Sequence, residues 1–260
     1  MEDVISEIDR AFRSLRAVDL APRLERGIPR WPSHPHLIID ETMNHAHDGY
    51  FCQGIVMAEH TGAHVDAPAH NHPGGQTVDE IDVDTLFAPA VLYEFSELEL
   101  EAGQLITAEM VESYERERGV KVGSGEIALV NFGWMKRHWR CDCHAQWYAT
   151  NAPGMAEDAV ILFKERGIRA IGSDTVACEM ALVDGKAVHS LGHDKHWLPN
   201  GILIMEMLAR LEQVSPRNFF AAAPLPFLQG SGSAAASSRI LYLAHRGAWM
   251  MVFGMRSIRC

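Results

Sequence analysis

No stretch of this 260-residue chain approaches the ~20 consecutive apolar residues that a membrane-spanning helix needs. The first 16 residues also lack the continuous apolar segment of a secretory signal. Their apolar side chains recur instead at helical spacing among charges, which predicts an amphipathic helix over residues 1–16. We expect this helix to pack on the domain or on a second subunit, and the protein to be cytoplasmic and not bound to a membrane.

Basic residues are scarce as well. The chain has 23 Lys and Arg against 34 Asp and Glu, so its formal net charge is −11. An acidic balance of this size disfavours a nucleic-acid-binding surface, and we expect no nucleic-acid partner. The charge implies nothing specific about a small-molecule substrate.

Paired cysteines are missing too. The chain has five Cys, an odd number, and Cys141-Asp-Cys-His144 has no second cysteine pair to give the spacing of a structural zinc site. Without a secretory signal, this pattern favours reduced thiols in the cytosol. We expect Cys141 and Cys143 to lie in a mobile loop, with a metal role as the minor alternative.

Predicted strands and helices are interleaved along the chain. Strand-like runs lie at residues 37–39, 54–58, 90–95, 127–132, 168–171, 202–205 and 240–244. Helical patterns cover residues 108–118 and 155–166, and each is followed by a glycine. Residues 230–238 are rich in Gly, Ala and Ser and predict a loop. This order favours one α/β domain with a mixed sheet, spanning residues 1–260.

Residues 60–72 hold the densest set of potential metal ligands in the chain, four His and one Asp. His60, His64 and Asp66 share parity, so an extended chain would project all three to one face. A helix could also pair His60 with His64, but Gly62 and Pro68 disfavour a continuous helix here. We therefore predict a strand that ends near His60 and runs into a ligand-bearing loop. A surface loop that is merely rich in His is the minority interpretation.

A metal held by these residues needs further ligands from another element. Residues 189–206 are the obvious source, because three His precede a short apolar strand that Glu206 directly follows. Glu206 is either a ligand or the first acid of a helix beginning in residues 207–211. Asp174, after the strand at 168–171, could be functional, but capping a turn is the commoner use and we do not predict it as a ligand.

The run His60-Thr-Gly-Ala-His64-Val-Asp66-Ala-Pro-Ala-His70 closely resembles the HxGTHxDxPxH signature of the metal-dependent cyclase family. That family includes bacterial kynurenine formamidase and isatin hydrolase. The likeness covers about residues 17–233. It extends to residues 18–20, 27–32, 153–154, 172–174 and 200–206. The chain departs from the family at Ala63, where Thr is usual, and in an atypical tail over residues 245–260.

The resemblance implies a swivelling β/β/α fold and a site with one or two divalent metal ions, Zn or Mn. Its metal ligands would be His60, His64, Asp66, His193 and Glu206. Asp66 would bridge where two ions are present. His193, eight residues before Gly201, is preferred over His196 as the distal ligand.

The resemblance also implies hydrolysis of a C–N amide bond, in an aryl formamide or a cyclic amide, by metal-activated water. His70 would be the general acid/base, although a fifth-ligand or second-shell role stays open. His72 is expected to be a solvent-exposed loop residue. Trp31 and Phe51 are candidates for an aromatic substrate pocket.

Three other functions stay open. They are a lactone or ester hydrolase, a polyketide-type cyclase or dehydratase, and a metal-binding protein without catalysis. The N-terminal helix and the resemblance both favour a homodimer or homotetramer.

Overall fold

The computed structural model describes residues 3–222, 230–235 and 244–245. Within these residues the helices are α1 (Val4–Ser14), α2 (His45–Asp48), α3 (Ala108–Arg118), α4 (Trp134–His138), α5 (Ala145–Thr150) and α6 (Glu157–Glu165). The longer strands are β2 (Ile38–Met43), β3 (Cys52–Val56), β4 (His64–Asp66), β5 (Phe87–Glu94), β7 (Ile127–Asn131), β9 (Ala170–Ser173), β12 (Leu203–Glu206), β13 (Arg217–Ala221) and β14 (Ser233–Ala235). The two-residue strands are β1 (Leu15–Arg16), β6 (Leu105–Ile106), β8 (Gly154–Met155), β10 (Leu182–Val183), β11 (Lys186–Ala187) and β15 (Ala244–His245).

A mixed sheet organises the described chain. Its seven strands lie in the order β13-β5-β7-β9-β12-β4-β14. The four central strands β5, β7, β9 and β12 are parallel, whereas β13 at one edge and β4 beyond β12 pair antiparallel. The predicted α/β class with a mixed sheet is therefore confirmed. None of the described helices is long and apolar enough to cross a membrane.

The central strands are buried on both faces, and successive side chains alternate between two apolar clusters. Val91 and Tyr93 pack with helices α3 and α6 on one face, while Ala90 and Leu92 pack on the other. On β12, Ile204 lies on the helix-covered face, between neighbours that face the opposite side. This alternation fixes which side chains of each strand are available to a site on the helix-covered face.

The helix ends follow local signals. Thr107 caps α3 by accepting the backbone N–H of Met110 through its hydroxyl (3.3 Å), and Gly119 ends the helix in the left-handed region. The helix at residues 108–118 has the predicted bounds. The helix predicted at 155–166 begins two residues later, because residues 154–155 pair as β8 with β6.

Some boundary predictions are wrong. The N-terminal helix ends at Ser14, and none of its residues is buried, so its apolar face does not pack on the described domain. Residues 233–235 form β14 inside the predicted loop at 230–238, because they pair with β4. The strand predicted at 240–244 lies mostly outside the described residues, and only Ala244–His245 is seen, as β15. Residues 246–260 of the tail also lie outside them.

Candidate metal centre

Strand β4 places two of the predicted ligands. Val65 and Ala67 pack into the apolar cluster on one face of the sheet, so His64 and Asp66 point to the opposite, helix-covered face. The antiparallel register sets His64 opposite Glu206 and Asp66 opposite Ile204. The parity argument therefore holds for His64 and Asp66, and strand pairing adds Glu206 beside them.

A turn, rather than a strand, brings His60 to the same place. The prediction of a strand ending near His60 is wrong, since β3 ends at Val56 and His60 lies in the following turn. Gly62 makes this turn with φ +69, and a Cβ there would lie 2.5 Å from Leu24 Cδ2. The result is a distance of 3.0 Å between His60 Nδ1 and Asp66 Oδ1.

The distal histidine comes from a π-helical turn at Gly192–His196. His193 Nε2 lies 3.5 Å from Asp66 Oδ2 and 3.4 Å from Glu206 Oε1. The ring of His196 faces elsewhere, with Nε2 3.9 Å from Glu157 Oε1. The structure therefore brings His193, and not His196, to the other predicted ligands.

The orientation of the two buried imidazoles indicates a cation between them and the carboxylates. His64 Nδ1 donates to the carbonyl of Gly62 (2.8 Å), so in the neutral ring Nε2 has no proton and carries a lone pair. That lone pair lies 3.2 Å from Glu206 Oε2 and 3.6 Å from Asp66 Oδ1. Lone pairs and carboxylate oxygens repel at such distances unless a proton or a metal ion lies between them.

The hydrogen-bond inventory agrees with this. Within the described residues, four buried atoms of the cluster have no hydrogen-bond partner: His64 Nε2, Asp66 Oδ1, Asp66 Oδ2 and Glu206 Oε1. Buried polar atoms are normally satisfied, so orphans that converge on one point need a ligand. Two groups of side chains could each hold an ion, because the ligand atoms within each group all lie within 4.8 Å of one another. One group is His60, His64 and Asp66, and the other is Asp66, His70 and His193. The donor set of imidazoles and carboxylates fits Zn or Mn.

The electrostatics of the cluster point the same way. Burial lowers the pKa of His64, but the carboxylates of Asp66 and Glu206 outweigh it and raise that pKa to about 9. Burial raises the pKa of Asp66, yet His64 and the neighbouring imidazoles hold it well below its ordinary value. The pocket therefore favours positive charge, carried by protons or by a metal ion.

A cavity of about 210 Å³ opens beside these atoms. Its polar wall carries the histidines and carboxylates of the cluster. Its apolar wall is formed by Trp31, Val176, Ala177, Met180 and Met207. Trp31 thus lies where it was predicted. Phe51 does not line the cavity of the single chain; it is 49% exposed near the start of β3 and stacks on His45.

His70 lies in a 3₁₀ turn at Pro68–His70, directly after β4. The centroid of its ring lies 4.3 Å from that of His60 and 5.8 Å from that of His193. The turn is fixed by close packing, since a Cβ on Gly232 would lie 2.8 Å from His70 Cα. Burial lowers the pKa of His70, with His60 and His193 adding to the effect and Asp66 opposing it.

Comparison with known proteins identifies the family of this chain. The model of the cyclase family matches residues 18–180. The chain belongs to the cyclase family.

Curated relatives and solved structures are consistent with this membership. Kynurenine formamidase of Geobacillus thermodenitrificans is 26% identical over 219 residues, which cover 83% of this chain and 93% of that protein. Isatin hydrolase of Roseibium aggregatum is 27% identical over 214 residues, 76% of this chain and 79% of that protein. The structure of isatin hydrolase A from Labrenzia aggregata, bound to benzyl benzoate, superposes with a TM-score of 0.77 at 24% identity, over 94% of this chain and 100% of that one. The predicted family fold is confirmed.

One prediction for the cyclase-family site needs correction. His72 is not a solvent-exposed loop residue; it is half-buried, and its Nε2 donates to the carbonyl of His193 (2.8 Å). Asn71 makes a second link, because its Nδ2 donates to Asp194 Oδ1 (2.8 Å). The loop after His70 and the turn that carries His193 are therefore tied together.

The alternatives for Glu206 and Asp174 are also resolved in part. Glu206 does not begin a helix, since it ends β12 and Met207 has a positive φ of 54. Asp174 accepts the backbone N–H groups of Phe132 (2.8 Å) and Met135 (3.0 Å). Asp174 thus ties β9 to the start of α4 and does not reach the cluster. Cys141 and Cys143 are exposed between α4 and α5, and neither belongs to a metal-capable group in the described chain.

Sequence reasoning missed two residues. His34 lines the cavity with its ring centroid 5.2 Å from that of His60, and its buried Nδ1 has no hydrogen-bond partner among the described residues. Its place just after the matched run at 27–32 was a usable signal. Glu179 contacts His193 from outside the cavity, and nothing in its local sequence indicated this.

Proposed function

We propose that this cyclase-family protein is a metal-dependent hydrolase that cleaves a C–N amide bond in an aryl formamide or a cyclic amide. One observation carries the proposal. Buried imidazole and carboxylate atoms without hydrogen-bond partners converge on one wall of a cavity whose other wall is apolar. The names of the curated relatives, kynurenine formamidase and isatin hydrolase, support the amide class.

The ligands that we propose are His60, His64, Asp66, His193 and Glu206. Asp66 belongs to both sets of donor atoms, which supports a role as the bridge if two ions are bound. Zn and Mn both suit a mixed shell of imidazole and carboxylate, and the donor set does not favour one over the other. A divalent ion bound there would activate water and polarise the scissile carbonyl.

In this proposal His70 moves the proton. Burial lowers the pKa of His70, which keeps its ring neutral near pH 7 and able to accept a proton from water. The ring then returns the proton to the leaving nitrogen, so that the amine departs uncharged. A ligand role for His70 is the alternative, since one of its ring nitrogens lies within 4.8 Å of donor atoms of Asp66 and His193.

The cavity supports a small aromatic substrate. Drug-sized ligands usually occupy pockets of about 300–1,000 Å³, and this cavity of about 210 Å³ suits a smaller, compact molecule. Trp31 packs against the core on one side and lines the cavity on the other, so its indole offers a fixed flat surface. Because Trp31 and the histidines line the same cavity, one small aromatic molecule can contact both.

The test measures bound metal and hydrolysis together. The purified protein is stripped with chelator and reloaded with Zn or Mn. It is then assayed with N-formylkynurenine and isatin, beside His70→Ala and a control, His47→Ala, whose exposed ring lies on α2. We expect His70→Ala to retain metal and lose about 10²–10⁴-fold in kcat, as expected for loss of a general acid/base.

Other outcomes would redirect the proposal. Bound metal without turnover of either compound would point to lactones, esters or other cyclic amides. Metal-dependent turnover without incorporation of water would indicate a cyclase or dehydratase. A protein that binds no divalent ion after reloading would refute the central claim.

We also propose a homodimer or homotetramer. In the single chain α1 exposes Val4, Ile5, Ile8 and Phe12 by 46–68%. Four large apolar side chains on one exposed helix favour contact with a second copy. Light scattering should give a multiple of the chain mass, and Ile5→Glu with Ile8→Glu should reduce it while Glu7→Gln should not. A cytoplasmic location stays a prediction of the sequence.

A further inference from the structure

Glu179 is a buried carboxylate beside the candidate metal centre but outside its ligand set. Its side chain is fully buried. Oε1 accepts two hydrogen bonds, both from His193: one from the backbone N–H (3.0 Å) and one from ring Nδ1 (2.6 Å). Oε2 has no hydrogen-bond partner among the described residues. A buried carboxylate is costly to desolvate, so a residue with this single attachment needs a reason beyond packing.

The attachment sets the state of the histidine ring. A carboxylate only accepts hydrogen bonds, so Nδ1 of His193 carries the proton, and in the neutral ring Nε2 keeps its lone pair toward the cavity. Nε2 is the atom that lies 3.5 Å from Asp66 and 3.4 Å from Glu206. The backbone bond adds a second constraint, because it fixes the π-helical turn from which the ring projects.

The space around Glu179 leaves little freedom. A Cβ on Gly192 would lie 2.8 Å from Glu179 Cδ and 2.4 Å from Trp197 Cε3. Glycine at that position therefore lets the carboxylate approach the turn closely. His64 has a similar arrangement, with Nδ1 held by a carbonyl and Nε2 in the cavity, but there the acceptor is the backbone of Gly62.

We propose that Glu179 is a positioning residue, which holds His193 in the tautomer and orientation that present Nε2 to a divalent metal ion. This inference rests on the proposed function, because His193 must be a metal ligand for Glu179 to act through it. Outer-shell carboxylates of this kind orient ligating imidazoles and raise their basicity, and their loss typically weakens metal affinity about 10–100-fold.

The experiment is a double-mutant cycle on metal affinity. Metal-free protein is titrated with Zn²⁺ against a competing chelator for the wild type, Glu179→Leu, Glu179→Gln, His193→Ala and the Glu179→Leu/His193→Ala pair. Asn200→Ala is the matched control, because Asn200 donates to the carbonyls of Lys195 (3.3 Å) and His196 (3.1 Å) in the same turn, and the hydrogen bonds of the described residues include none from its side chain to His193.

We expect Glu179→Leu to weaken Zn²⁺ binding about 10–100-fold, and Glu179→Gln to weaken it less, because an amide oxygen still accepts both N–H groups. In the His193→Ala background, Glu179→Leu should change affinity by less than about twofold, because the residue through which it acts is gone. Asn200→Ala should retain wild-type affinity.

A second readout follows the ring directly. In the Zn²⁺-loaded wild type, the Nδ1 proton of His193 should give a protected downfield NMR resonance, which should persist in Glu179→Gln and vanish in Glu179→Leu. If Glu179→Leu does not fold, Glu179→Gln still tests the inference. A modest loss of Zn²⁺ affinity with the resonance retained supports it, and unchanged affinity with the resonance lost contradicts it.

Three results would overturn the inference. They are unchanged affinity in Glu179→Leu, an equal loss with and without His193, and an equal loss in Asn200→Ala. If His193→Ala binds Zn²⁺ as well as the wild type, or if the wild type binds none, the proposed metal centre fails as well. The two failures are thus distinguishable.

Discussion

Two buried clusters of charged and polar side chains lie in the same domain, and they differ in whether their carboxylate oxygens have hydrogen-bond partners. Glu115, on α3, accepts from Tyr93 Oη (2.7 Å) and from both terminal nitrogens of Arg166 at the end of α6, with Nη2 2.9 Å from Oε2. Both carboxylate oxygens are therefore satisfied. In the candidate metal centre, both oxygens of Asp66 and one of Glu206 have no hydrogen-bond partner within the described residues.

The difference separates a structural cluster from a binding site. The Glu115 cluster is complete, because the guanidinium of Arg166 offsets its charge. Glu115 also lines a cavity, of about 400 Å³, but both of its carboxylate oxygens are already bonded within the protein. Among the described residues, the metal centre has carboxylates and imidazoles but no Lys or Arg lining its cavity, which its orphan atoms face. A buried charge that is not balanced within the protein is what a cation site requires.

We expect the largest loss of metal binding and hydrolysis from Asp66→Asn. Asp66 supplies an oxygen to both sets of donor atoms, so its change affects either one ion or two. We expect metal content near zero and hydrolysis at the rate of buffer alone, measured by elemental analysis and the substrate assay. Asp82→Asn, an exposed change of the same kind, is the control. Full metal content in Asp66→Asn would contradict the assignment.

Breaking the complete cluster should affect stability and not metal. Arg166→Met leaves the Glu115 carboxylate buried without its cation, and removal of one partner of such a pair costs about 3–5 kcal/mol. Denaturant unfolding should show this loss while Zn²⁺ affinity stays at the wild-type value. Glu115→Leu combined with Arg166→Met should be more stable than Arg166→Met alone. A lower metal affinity in Arg166→Met would erase the contrast between the clusters.

Metal should stabilise the fold through the incomplete cluster only. At a free ion concentration 100 times Kd, a ligand that binds only the native state adds about 2.7 kcal/mol to the free energy of unfolding. The rise in Tm on adding Zn²⁺ should be of similar size in the wild type and in Arg166→Met, and absent in Asp66→Asn. An equal rise in Asp66→Asn would mean that the ion binds elsewhere.

We expect the smallest change in Zn²⁺ affinity from His196→Ala. His196 faces Glu157 on α6 and not the cavity, so its loss should change Zn²⁺ affinity by less than about twofold. His193→Ala is the matched variant three residues away, with a large loss expected. Similar losses in the two variants would show that the turn holds the metal differently.

The sequence predicted the parts of the site that depend on local pattern. The alternation of His64 and Asp66 with Val65 was enough to place both on one face, and the apolar run before Glu206 indicated the strand that brings it there. His60 was found for a partly wrong reason, since a turn and not a strand carries it. Its contact with Asp66 depends on Gly62 in the left-handed region, which the sequence only suggested.

What the sequence could not predict depends on contacts between distant segments. Glu179 and His193 are 14 residues apart and meet only because a π-helical turn projects the ring back toward the segment that follows β9. The sequence predicted an exposed His72. It could not show that this ring donates to the carbonyl of His193, because the two residues are 121 positions apart. β14 was missed because its Ala- and Ser-rich sequence becomes a strand only when β4 is available to pair.

The alternation of β4 also makes the site sensitive to chain length. A slip of one residue in the pairing of this three-residue strand would turn Val65 into the cavity and bury His64 and Asp66 in the apolar cluster on the other face. Pairing with β12 on one side and β14 on the other holds the register. A single-residue insertion between His64 and Asp66 would therefore preserve every ligand in the sequence and still turn one of these two side chains away from the site.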